Sequence, residues 1–122
     1  MKILAVDDSK LIASFVKQSL PSPHFTVHSV ENGMLALEKL RSGERFDIIL
    51  LDWNMPVMDG PTFLEKAGNE KLLRCPVIMM TTENHPEKIM RALSLGAKEY
   101  MMKPFTDVIL NEKIQMVLKK VG

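Results

Sequence analysis

The sequence predicts an α/β fold, a doubly wound five-stranded parallel sheet with helices on both faces, and two patterns support this prediction. Short apolar runs alternate five times with segments in which apolar residues recur at helical spacing, an order typical of parallel sheets. Residues 48–51 are all apolar, as expected for a strand buried on both faces. Because no linker, repeat or low-complexity tract interrupts the 122 residues, we predict one domain over residues 1–122.

The first two units are a strong and a weaker strand, each followed by a helix. Residues 2–6 form an apolar run that ends in the acidic loop 7–9, and apolar residues then recur at helical spacing over residues 11–20. Polar residues alternate with apolar ones over residues 25–30, which favours a strand at the edge of the sheet. The next helix begins near Met34 and ends at Gly43.

The third and fourth units contain the two most apolar strands. Residues 46–52 form the third strand, and a helix with Pro61 in its first turn follows it. Residues 77–80 form the fourth strand, and Pro86 opens a helix that ends before Gly96.

The fifth unit is a short strand at Tyr100–Met102 and a last helix that Thr106 can cap. Phe63, Leu64 and Ala67 of the third helix are expected to face inward. The apolar residues of the first and fourth helices are Leu11, Ile12, Phe15, Val16, Leu20, Ile89, Ala92 and Leu93. The apolar side of the last helix comprises Ile109, Leu110, Ile114, Val117, Leu118 and Val121. The ten methionines are expected mainly to fill the core, since Met34, Met79, Met80, Met90, Met101, Met102 and Met116 lie within strand or helix patterns.

Composition excludes several classes of function. The net charge is +1, and no basic run is longer than Lys119-Lys120, so no nucleic-acid footprint is present. One cysteine cannot form an internal disulfide, and the three histidines show no ligand spacing for a transition metal. No stretch resembles a membrane span or a signal peptide, so we expect a cytoplasmic protein without a membrane partner.

Polar side chains follow four of the five predicted strands. Asp7 and Asp8 follow the first strand, Asp52 ends the third, Thr81 follows the fourth and Lys103 follows the fifth. Because the strands are parallel, their carboxyl ends share one edge of the sheet, where ligands bind in open α/β folds. We therefore predict that these five residues converge.

This set of residues predicts a chemistry. Three carboxylates close together repel one another unless they are protonated or bound to a cation, and hard oxygen ligands select Mg²⁺. Lys103 offers a positive charge for a phosphoryl oxygen, and Thr81 offers a hydroxyl donor. Asp52 lies in the middle of the set and is the candidate nucleophile that forms an aspartyl phosphate.

With these motifs the sequence resembles response-regulator receiver domains, most closely the single-domain chemotaxis regulators of the CheY type. The motifs that carry the resemblance are Asp7-Asp8, Asp52-Trp53-Asn54-Met55-Pro56, Met58-Asp59-Gly60, Thr81, Gly96-Ala97 with Tyr100, and Lys103-Pro104-Phe105. They span the whole chain. The resemblance implies a flavodoxin-like sheet with the strand order 2-1-3-4-5.

The resemblance also implies roles for individual residues. Asp52 would accept phosphate from a histidine kinase. Asp8, Asp52 and the main-chain carbonyl of Asn54 would hold Mg²⁺, with Asp7 acting through a water on the metal. Thr81 and Lys103 would contact the phosphoryl group.

Further roles implied by the resemblance concern switching and phosphate lifetime. Tyr100 would turn inward when Thr81 moves, and a cis bond would precede Pro104. Asn54 and Glu83 would tune hydrolysis of the phosphate. The sequence departs from many relatives at Thr82, where they have alanine, which leaves the rate of turnover open.

The implied protein is a signalling switch of a two-component, chemotaxis-type system and not an enzyme, although it assists its own phosphorylation and dephosphorylation. Its expected partners are a histidine kinase and an output protein such as a flagellar-motor switch protein, with a phosphatase as a further candidate, and a monomer is expected. The expected output face comprises the helix from Glu87, the strand Tyr100–Met102 and the last helix. Lys113 and Lys120 would face outward at its rim and favour an acidic amphipathic ligand.

Four alternatives are considered. Two are a stand-alone phosphorelay receiver and a receiver fragment of a larger regulator. A phosphatase of the haloacid-dehalogenase type would need a second acid two residues after the nucleophile, where this chain has Asn54, and a cap domain. A flavodoxin-like flavin carrier would need a phosphate-cradling loop after the first strand, whereas residues 7–10 read Asp-Asp-Ser-Lys.

Overall fold

The computed structural model describes residues 1–82 and 85–121, with the side chains of residues 120 and 121 left out. Strands and helices alternate along the chain. In order, they are β1 (Lys2–Val6), α1 (Lys10–Ser19), β2 (Thr26–Val30), α2 (Gly33–Arg41), β3 (Ile48–Asp52), α3 (Gly60–Asn69), β4 (Val77–Thr81), α4 (Pro86–Ser94), β5 (Glu99–Met102) and α5 (Asp107–Val121).

The strands form one parallel sheet in the order β2-β1-β3-β4-β5, which confirms the predicted fold class and strand order. β3 and β4 are buried along their whole length, as their unbroken apolar runs indicate. β2 lies at one edge and is partly exposed, as its polar alternation predicted.

Side chains of the central strands alternate between two cores, one on each face of the sheet. Ile49 and Leu51 of β3 point into a core shared with α2, α3 and Ala92 of α4. Ile48 and Leu50 point into the other core, which α1 and α5 cover. The central strands are therefore packed on both faces, and the sheet places their carboxyl ends along one edge.

Side-chain caps fix the beginnings of four helices. Ser9 Oγ accepts from Ile12 N at 3.3 Å, and the predicted cap Thr106 accepts through Oγ1 from Ile109 N at 3.2 Å. Asn32 and Asp59 cap α2 and α3 in the same way. Each cap satisfies an amide that has no partner within its helix.

Phe63, Leu64 and Ala67 are buried as predicted, whereas some apolar residues of the other helical patterns lie at the surface. Leu11 is 84% exposed, and Leu93 and Ile109 are also exposed. The expectation of core filling is wrong for Met90, which is 68% exposed, and for Met116. The physical reason is that each helix buries only a narrow stripe of its surface, and the exposed residues lie at the margin of that stripe or outside it. The stripe is centred on Val16 in α1 and on Ala92 in α4.

The third strand begins two residues later than predicted, at Ile48 rather than at position 46. Phe46 is nevertheless buried, with its ring edge-on to His28 and beneath the ammonium of Lys2. Among the described residues, no helix combines the length and the apolar character that crossing a bilayer requires.

Candidate functional site

The sheet delivers the predicted polar residues to one edge. Asp52 and Thr81 are the last residues of β3 and β4, whereas Asp7 and Lys103 directly follow β1 and β5. The register holds these strand ends level, since Thr81 pairs with Met102 and Lys103 N donates to Thr81 O at 2.8 Å. The structure therefore brings the predicted residues together.

Three carboxylates form a cluster at this edge. One carboxylate oxygen from each of Asp7, Asp8 and Asp52 lies within 4.8 Å of the other two. Asp7 and Asp52 are buried, whereas Asp8 is exposed to solvent. The carboxylate of Asp7 is held in place, because its Oδ1 accepts a hydrogen bond from Ser9 N at 2.8 Å. Three carboxylate oxygens this close together are suitable ligands for a hard divalent cation. The exposed side of the cluster, at Asp8, leaves the site open to solvent.

Lys103 supplies the first positive charge to the cluster. Its Nζ lies 2.6 Å from Asp7 Oδ2 and 2.9 Å from Asp52 Oδ1, and its side chain is only 14% exposed. The peptide bond between Lys103 and Pro104 is cis, as the family resemblance implied. One ammonium against three carboxylates leaves a formal charge of about −2, so the residues present fit an additional divalent ion.

The surroundings shift the pKa of both central groups. The pKa of Asp52 is raised to about 6, because burial and the nearby charge of Asp7 raise it by more than the hydrogen bond from Lys103 lowers it. Burial lowers the pKa of Lys103, but its hydrogen bonds to Asp7 and Asp52 outweigh burial and raise it overall. Asp52 thus holds its proton more tightly than an exposed aspartate does, and a bound cation would compete with that proton.

The loop after Asp52 folds back tightly on the strand end. Gly60 N donates to Trp53 O at 2.9 Å, and a Cβ at position 60 would lie 2.5 Å from the carbonyl oxygen of Asp52. Only glycine allows this approach. Within the same loop Val57 adopts a left-handed φ of 69°, where Met58 N donates to Pro56 O at 2.7 Å in a strained γ-turn.

The predicted switch pair lies on neighbouring strands. Thr81 is buried and Tyr100 is half-buried. Both border a small gap between the sheet and α4, which is lined by Trp53, Met79, Thr81, Lys88, Ile89, Ala92 and Tyr100. Thr81 and Tyr100 therefore line the same small gap.

Lys113 lies on the predicted output face, but it is partly buried and paired there instead of being a solvated lysine. Its Nζ lies 3.2 Å from Glu99 Oε1 and 5.4 Å from the centroid of the Tyr100 ring. The physical reason is that β5 is an edge strand, so a long side chain from α5 reaches over it. The side chain of Lys120 lies outside the described part of the chain.

Two further predicted residues lie at the surface. Asn54 lies in the exposed start of the loop after β3, and Thr82 is exposed next to Thr81. Glu83 lies outside the described residues. Sequence reasoning missed the contributions of Ser9 and Gly60, although a serine before a helix and an Asp-Gly pair are recognisable cap and turn signals.

Comparisons with known proteins agree on one family. The sequence model of the response regulator receiver domain family matches residues 3–115 of this chain. The chemotaxis protein CheY of Pseudomonas aeruginosa is 38% identical, covering 100% of this chain and 99% of that protein. The chemotaxis protein CheY1 of Helicobacter pylori is 36% identical and covers 97% of each chain.

Solved structures lead to the same family. Chemotaxis protein CheY4 of Vibrio cholerae matches with a TM-score of 0.85 and 37% identity, over 95% of this chain and 97% of that one. The receiver domain of the Francisella response regulator 1452 matches with a TM-score of 0.88 and 27% identity, over 99% and 98% of the two chains.

Proposed function

Because the chain belongs to the response regulator receiver domain family, we propose that it is a phosphorylation-activated switch of a two-component, chemotaxis-type system. In this proposal, the chain acts in the cytoplasm as one monomeric receiver domain, and Asp52 accepts a phosphoryl group from a histidine kinase. The observation that carries the proposal is the contact of buried Asp52 with Lys103 at the edge where Asp7 and Asp8 also lie. Family membership does not support the phosphatase or flavin-carrier alternatives.

The donor set supports Mg²⁺ as the cofactor. Asp8, Asp52 and the main-chain carbonyl of Asn54 would hold the ion, and Asp7 would complete the site through water. Mg²⁺, when bound, would offset the charge of the carboxylates and of the phosphoryl oxygens. One oxygen of Asp7 is already held in place, because it accepts a hydrogen bond from Ser9 N.

The transfer step uses the chain's own carboxylate. An oxygen of Asp52 attacks the phosphorus of a phosphohistidine on the kinase, a P–O bond forms, and the P–N bond breaks with its electron pair returning to the imidazole. Lys103, now 2.9 Å from Asp52, can move to an oxygen of the attached phosphoryl group. Thr81 ends the adjacent strand and can donate its hydroxyl to another.

Thr81 links the phosphoryl group to an equilibrium between an inactive and an active conformation of the domain. When Thr81 turns toward the phosphoryl oxygens, Tyr100 fills the gap beside it and alters the face formed by α4, β5 and α5. An output protein, such as a flagellar-motor switch protein, would bind this face. Asn54 and Glu83 would set the lifetime of the phosphate, which the chain or a phosphatase removes.

Amide-shift mapping with the phosphoryl mimic beryllofluoride and Mg²⁺ tests this relay. We expect shifts at the site and on the face of α4, β5 and α5 in the wild type. In Thr81→Ala we expect amide shifts only around Asp52, because the mimic still binds but the hydroxyl that transmits its effect to Tyr100 is absent. Shifts confined to α1 in the wild type would instead indicate a phosphorelay contact.

A further inference from the structure

Tyr100 lies under a cation that the neighbouring residue holds in place. Lys113 reaches from α5 over the edge strand β5, and its Nζ is 5.4 Å from the centroid of the Tyr100 ring. Oε1 of Glu99 accepts from Lys113 Nζ at 3.2 Å and from the backbone N–H of Tyr100 at 3.1 Å. One carboxylate oxygen therefore joins the backbone at the aromatic residue to the ammonium above its ring.

This ammonium differs from a solvated surface charge. The side chains of Lys113 and Glu99 are 24% and 12% exposed, so the pair is partly screened from water. A cation within about 6 Å of a ring centroid attracts the ring, and the attraction strengthens as water is excluded. In the proposed switch the ring moves towards the gap that Thr81 and Tyr100 line, and any movement of the ring away from Lys113 weakens this attraction.

We propose that Lys113 is a positioning residue that holds Tyr100 in its half-exposed position and thereby opposes the inward movement of the ring. The proposal rests on the proposed function for the role of that movement. Lys113 then favours the outward position of Tyr100 in the unphosphorylated protein. Phosphorylation must supply enough free energy to overcome this preference. Removing one cation–π contact should favour the inward state about two- to fivefold.

Tyr100 is the only tyrosine, so isotope-labelled tyrosine gives one set of ring resonances. Four proteins are compared with and without beryllofluoride and Mg²⁺: wild type, Lys113→Met, Lys113→Arg and the control Lys119→Met. Methionine keeps most of the length and apolar stem of lysine, and Lys119 is an exposed lysine on the same helix.

In Lys113→Met, we expect the free-state ring resonances to move towards the beryllofluoride-bound position and the titration midpoint to fall about two- to fivefold. Lys113→Arg and Lys119→Met should match the wild type. If beryllofluoride moves the wild-type resonances but Lys113→Met has the wild-type spectrum and midpoint, the role of Lys113 is refuted and the proposed function stands. If beryllofluoride binds and moves the ring resonances in neither protein, the switch itself is refuted, and the role of Lys113 with it.

Discussion

Replacing Lys103 with methionine removes the ammonium that lies between buried Asp7 and Asp52. At contact distances of 2.6 and 2.9 Å and an effective dielectric constant of about 20, each ion pair contributes about 6 kcal/mol of gross attraction. Relief from the desolvation of Lys103 offsets much of this, and breaking a buried pair typically costs about 3–5 kcal/mol. We therefore expect Lys103→Met to lose about 3–5 kcal/mol of unfolding free energy without metal, a large part of a domain's usual total.

Urea unfolding followed by the fluorescence of Trp53, at about pH 8 in EDTA, measures this loss. Lys98→Met is the matched control, because Lys98 is an exposed lysine just before β5 and its replacement should change the stability by less than about 0.5 kcal/mol. With saturating Mg²⁺, the deficit of Lys103→Met should shrink, since a second cation then offsets the same carboxylates. A variant as stable as the wild type in EDTA would refute the idea that Lys103 compensates this cluster.

Three further predictions concern metal, backbone and thiol. Mg²⁺ should change the fluorescence of Trp53, and Asp8→Ala should weaken its binding at least about tenfold while the exposed-site control Glu65→Ala leaves it unchanged; superimposable titrations would contradict the metal site. Val57→Gly should raise the unfolding free energy by about 1 kcal/mol, because glycine adopts the positive φ of this γ-turn without the strain that valine carries, whereas Val108→Gly on exposed α5 should not stabilise the protein; an unchanged or lower stability of the first variant would contradict this. Burial raises the pKa of the Cys75 thiol from 9.0 to about 11, so less thiolate is present at any pH below about 9; iodoacetamide at about pH 8 should react about 100-fold more slowly than with a free thiol, and a peptide-like rate would contradict the shift.

Local sequence patterns predicted the parallel sheet and the meeting of the polar residues at its edge. Both follow from the composition of short segments of the chain. The unbroken apolar run at Ile48–Leu51 requires burial on both faces, and parallel strands necessarily end at one edge. The positions of Leu11 and Met90 could not be predicted this way, since helical spacing locates a face but the neighbouring elements decide how wide a stripe they cover.

Contacts between side chains of different elements were also beyond the sequence. Lys113 and Glu99 come from different elements, and only the edge position of β5 shows that the lysine reaches over Tyr100. The raised pKa of Asp52 depends on its burial and on the distance to Lys103, which no motif specifies. The need for glycine at position 60 follows from its approach to the Asp52 carbonyl, which only the folded loop reveals.

Mass spectrometry after acetyl phosphate treatment and borohydride trapping tests most directly whether Asp52 is the phosphoryl acceptor. We predict one label, on Asp52, that forms with Mg²⁺ and is absent in EDTA, and that Asp52→Asn abolishes. Undiminished phosphorylation of Asp52→Asn at another residue, or labelling of the wild type without any divalent cation, would contradict the account.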